Sequence, residues 1–72
     1  MVRFVGHGML EKYSREVEIE GPRPLHELLE ELTIPQDLKN ILIPVREARI
    51  VQSGDLVSED DVIHLFIALS GG

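Results

Sequence analysis

Val62-Ile63-His64-Leu65-Phe66-Ile67-Ala68-Leu69-Ser70-Gly71-Gly72 is the stretch on which the fold turns. Its apolar run, interrupted only by His64, predicts a strand in mid-sheet, buried on both faces. At Ser70 the chain changes character, and two glycines follow. Residues 69–72 are expected to form a flexible tail, thin enough to enter a narrow active site that any Cβ would exclude. A free carboxylate on Gly72 is ionised at neutral pH. Two readings of this tip are open. Gly72 is the functional group of the protein, or Gly71 and Gly72 are a frayed end.

The rest of the chain supplies neighbours for that strand. Val2, Phe4 and Gly6 alternate with Arg3, Val5 and His7, a first strand with Val2 and Phe4 inward, and Gly6-His7-Gly8 punctuates its end. Residues 9–14 read as a connection. Glu16-Val17-Glu18-Ile19-Glu20 alternates strictly and predicts a second strand, with Val17 and Ile19 inward. Two strands so close in sequence pair as a hairpin. Gly21-Pro22-Arg23-Pro24 then opens a helix, with Pro24 at its first position. Leu25, Leu28, Leu29 and Leu32 make one apolar stripe, and Pro35 ends the helix.

Pro35 to Asn40 is a connection whose Leu38 tucks under the sheet. Ile41 to Val45 predicts a strand, at an edge or a bulge because of Pro44. Arg49-Ile50-Val51 is a short further strand, joined to it through Glu47-Ala48, which is poor turn chemistry. A hairpin, a helix across one face and a final strand parallel to the first together make an α+β, β-grasp arrangement: a mixed four- to five-stranded sheet with one main helix on one face. Residues 1–72 are read as a single such domain.

Composition narrows the function classes. The net charge of −6 disfavours nucleic acid, which needs a basic face. There is no cysteine, hence no disulfide and no thiolate chemistry. Neither a signal peptide nor a membrane span is legible, and the cytoplasm is the expected compartment.

Three segments resemble the ThiS/MoaD-type sulfur-carrier family, relatives of ubiquitin. They are the helix Pro24-Leu25-His26-Glu27-Leu28-Leu29-Glu30-Glu31-Leu32 with its stop Thr33-Ile34-Pro35, Leu56 followed by the acidic turn Ser58-Glu59-Asp60-Asp61 leading into Val62-Ile63-His64-Leu65, and Leu69-Ser70-Gly71-Gly72. Two departures stand out. Ala68 and Ser70 occupy places where ubiquitin is basic, and Arg46-Glu47-Ala48 replaces the Asn-Gly-like turn frequent in sulfur carriers.

The resemblance implies that the protein is a substrate and not an enzyme. Its Gly72 carboxylate is adenylated by an E1-like adenylating enzyme and becomes a thiocarboxylate. That group donates sulfur to an acceptor synthase in thiamine, molybdopterin or related biosynthesis. Leu69, Ser70 and Gly71 would carry Gly72 into the partner's active site. The protein needs no cofactor of its own, and ATP and Mg²⁺ belong to the partner, since this chain has no phosphate-binding loop. The alternative is a ubiquitin-like modifier joined through Gly72 to target lysines, and a third reading is a β-grasp module with inert glycines.

Rival chemistry is sparse. His7, His26 and His64 fall on different elements with no metal-ligand spacing. The serines have no evident base partner. His64 and Phe66 alternate with Ile63 and Leu65, so they face away from the helix. They are either covered by loops or form a docking face for a partner.

Overall fold

The computed structural model describes residues 1–68. In chain order it contains β1 (Val2–Gly6), a 3₁₀ segment (Gly8–Tyr13), β2 (Arg15–Val17), β3 (Arg23–Pro24), α1 (Leu25–Glu31), α2 (Gln36–Lys39), β4 (Leu42–Arg46), β5 (Arg49–Ile50), β6 (Leu56–Val57) and β7 (Val62–Ile67). Five strands form one sheet in the order β2-β1-β7-β4-β5, and β3 pairs with β6 in a second, two-stranded sheet. This is the β-grasp arrangement expected. β7 lies centrally, parallel to β1 with Phe4 opposite Ile63, and antiparallel to β4 with Ile43 opposite Phe66.

The core sits between the sheet and α1. Val2, Phe4, Ile63 and Leu65 project from the strands onto Leu25, Leu28, Leu29 and Leu32, and all are buried. Val17 and Ile19 are buried as their alternation requires, but the β2 ladder stops at Val17. The register explains this: Val17 already faces Val2, the first residue of β1.

Pro24 is not the first helical residue. It is extended, with ψ 142°, and pairs with Leu56. The amides of Leu25 and His26 are satisfied by the carbonyls of Asp55 and Ser53, so the loop before β6 caps α1 in place of a side chain. Within the segment expected to be a plain connection, Gln36–Lys39 is a short helix, and its Leu38 packs on the core.

Pro44 sits where its missing N–H does least harm. Its carbonyl accepts from the Val51 amide at 2.8 Å, so its nitrogen also points to the β5 side, and the pairing of β4 with β7 is untouched although β4 is not an edge strand. The hairpin between β4 and β5 forms, with Glu47 (φ 51°) and Ala48 (φ 65°) both left-handed, the signature of a type I′ turn.

The expectation for β7 is also overturned. β7 is central but buried on one face only: Ile63 and Leu65 are inaccessible, His64 is half-buried, and Val62 and Phe66 are exposed. Both helices leave the far face of the sheet uncovered, so an apolar run longer than the alternating pattern does not mean burial on both sides. Among the described residues no helix is long and apolar enough to cross a membrane.

Candidate docking face at the root of the tail

On the open face, His64 has Val5 of β1 and Val45 of β4 as its cross-strand neighbours, and Phe66 has Ile43. These are apolar side chains, and the same strands carry two ion pairs: Arg3–Glu16 at 3.6 Å and Arg46–Asp61 at 2.8 Å. The second pair also orders the approach to β7. Asp61 accepts from the Ser58 amide at 2.8 Å, and Arg46 donates onward to the Leu56 carbonyl. The acidic turn is therefore tied down through its last residue.

His64 and Phe66 thus face away from α1, as read from the sequence. The structure adds a third ring. His7 lies flat on Phe66, ring centroids 4.5 Å apart and planes within 5°. Its Nε2 shares a hydrogen bond with Nδ1 of His64 at 2.9 Å, one ring donating and the other accepting. The two histidines assigned to separate elements therefore meet, but as a hydrogen-bonded pair. Among the described residues no group of three or more His, Cys, Asp or Glu side chains converges to hold a metal ion.

Backbone chemistry puts His7 there. Its amide continues the parallel ladder to the Leu65 carbonyl at 3.0 Å, which brings it beside Phe66. Gly6 allows the 3₁₀ segment to fold back, because a Cβ at that position would collide with the Leu10 carbonyl. Gly8 adopts φ 59°, the left-handed bend that starts the segment. The signal was present in Gly6-His7-Gly8 read against a parallel last strand: register alone sets residue 7 next to residue 66.

His7, Gly8, Met9, Phe66 and Ile67 line an open, mostly apolar cavity of about 290 Å³. Ile67 ends β7, and the Ala68 amide donates to the Ile41 carbonyl at 2.8 Å. The cavity therefore sits where the chain leaves the sheet. The expected functional residues Leu69, Ser70, Gly71 and Gly72 lie outside the described residues.

Among curated proteins, the chain is similar to the sulfur carrier protein TtuB of Thermus thermophilus. The two are 38% identical over 58 residues, which cover 81% of this chain and 85% of that protein. The chain belongs to the ThiS/MoaD-type sulfur-carrier family. No protein-family model matches it. Its fold is shared with the crystal structure of SAMP1 from Haloferax volcanii, at a TM-score of 0.76 over 99% of this chain and 98% of that one. Their sequence identity is 17%, so this likeness speaks to the fold alone. The first finding gives the sulfur-carrier family and the second the ubiquitin-like β-grasp fold.

Proposed function

We propose that this sulfur carrier works through the Gly72 carboxylate, activated by a separate adenylating enzyme. The observation that carries the reading is the relation to a sulfur carrier protein over most of both chains, joined to a strand that runs from an open apolar face toward Gly71-Gly72. A carboxylate is a poor acyl donor because its oxygen is a bad leaving group. Attack of a Gly72 oxygen on the α-phosphorus of ATP forms an acyl-adenylate and releases pyrophosphate. A sulfur donor at the oxidation level of hydrosulfide then adds to the carbonyl and expels AMP, leaving a thiocarboxylate. Bringing the two anions together requires Mg²⁺ and cationic donors, which the partner supplies.

The open face around His64 and Phe66 is the docking surface in this reading, and Leu69 to Gly71 are the segment that enters the partner's site. The thiocarboxylate then serves a sulfur-acceptor synthase of thiamine, molybdopterin or related biosynthesis. The test is mass spectrometry after incubation with the adenylating enzyme, Mg-ATP and a sulfide source. The expected result is a gain equal to one oxygen-to-sulfur exchange at Gly72. No change with an enzyme shown to be active removes the carrier reading. Lysine-linked adducts that survive thiol reductant favour a modifier instead.

A further inference from the structure

We propose that His7, itself held by His64, is the positioning residue of the docking anchor. It fixes the Phe66 ring at the mouth of the cavity for an apolar side chain of the adenylating enzyme. The inference rests on the docking reading above and adds a residue that the family resemblance did not supply.

Phe66 is 39% exposed on the face that α1 and α2 leave open. An aromatic ring in that setting samples several rotamers, and freezing them on docking costs affinity. Here the ring already has a partner. His7 lies parallel to it at 4.5 Å. His7 is itself immobilised from three directions: its amide donates to Leu65, its carbonyl accepts from the Leu10 amide at 3.0 Å, and its ring is hydrogen-bonded to His64 at 2.9 Å. Chain geometry selects the occupant. Phe66 precedes Gly72 by six residues, so an enzyme holding Gly72 reaches to within about 20 Å of the Phe66 Cα. The lining of His7, Met9, Phe66 and Ile67 suits an apolar side chain.

His7→Ala and His7→Phe separate positioning from mere bulk. The first removes the stack, and the second keeps a flat ring on Phe66 while losing the bond to His64. Pyrophosphate exchange is measured with the full chain as the varied substrate of its adenylating enzyme. His7→Ala is expected to raise KM about tenfold, equivalent to about 1.4 kcal/mol, with kcat within about twofold. His7→Phe is expected to restore most of the KM. Scalar couplings of the free protein supply a readout that needs no partner: Phe66 should hold one χ1 rotamer in the parent and several in His7→Ala. A single retained rotamer in His7→Ala overturns the positioning role and leaves the docking reading intact. An unchanged KM for Phe66→Ala removes the docking reading and with it this proposal.

Discussion

Leu65 and Phe66 are consecutive residues of β7 with opposite surroundings, Leu65 fully buried under α1 and Phe66 39% exposed on the open face. One strand therefore faces the core with one side and an open surface with the other. Leu65→Ala should cost about 2–5 kcal/mol of stability, as large-to-small changes at buried leucines do. Phe66→Ala should cost far less stability but weaken binding to the adenylating enzyme by about 1–3 kcal/mol. Denaturant unfolding and partner titration of both variants decide the matter. Equal destabilisation with unchanged binding would place Phe66 in the core.

Leu28 meets the buried side of the same sheet and has no exposed surface. Its truncation to alanine should also cost about 2–5 kcal/mol. A loss below about 1 kcal/mol would mean that the leucine stripe of α1 is not packed on the sheet.

The turn at Glu47-Ala48 holds two residues with side chains in the left-handed region. Each conformation is unfavourable by about 1–2 kcal/mol for a residue bearing a Cβ. Replacing the pair by Asn-Gly, the preferred type I′ sequence, should stabilise the protein by about 1–2 kcal/mol. The thermal midpoint is the measurement. A lowered midpoint would show that Glu47 or Ala48 makes a compensating interaction.

Asp61 connects Arg46 to the amide of Ser58, and both charged side chains are mostly sheltered, at 25% and 29% exposure. Asp61→Ala should destabilise by about 1.5–3 kcal/mol, the range for hydrogen bonds to a charged group. Arg46→Ala should cost no more in the Asp61→Ala background than the loss of its remaining contacts. A double-mutant cycle reads the coupling.

Gly6→Ala tests the placement of His7. The added methyl meets the Leu10 carbonyl, so the 3₁₀ segment must move. The expected outcome is a loss of stability together with a shift of the Phe66 ring resonances. Resonances that stay in place would mean that the segment does not depend on Gly6 for its position.

Much of this was legible from residue patterns. The stripe Leu25, Leu28, Leu29 and Leu32 gave the helix and its buried face, and alternation gave the inward sets Val2/Phe4 and Ile63/Leu65. What failed was of two kinds. Burial on both faces of β7 was inferred from a continuous apolar run, yet nothing in Val62, His64 or Phe66 reports whether another layer covers them. The end of β2 and the bridge at Arg23–Pro24 depend on partners far along the chain, Val2 and Leu56, which local propensity does not see. The His7–His64 contact was hidden for a related reason, because it requires the parallel register of β1 and β7. Glu47-Ala48 formed its turn despite unfavourable residues, since the strands on either side dictate it.

The parallel pairing of β1 with β7 joins opposite ends of the described chain. Loop closure across the whole sequence is slow to reward, so this pairing is expected to form late in folding. His7 comes from one of those strands and Phe66 from the other. A chain in which β7 has not yet joined the sheet still has its glycines but presents no stacked pair of rings. A partner that requires the pair would pass over unfolded or half-folded copies. Selection for maturity would then be built into the strand order, with no separate checkpoint.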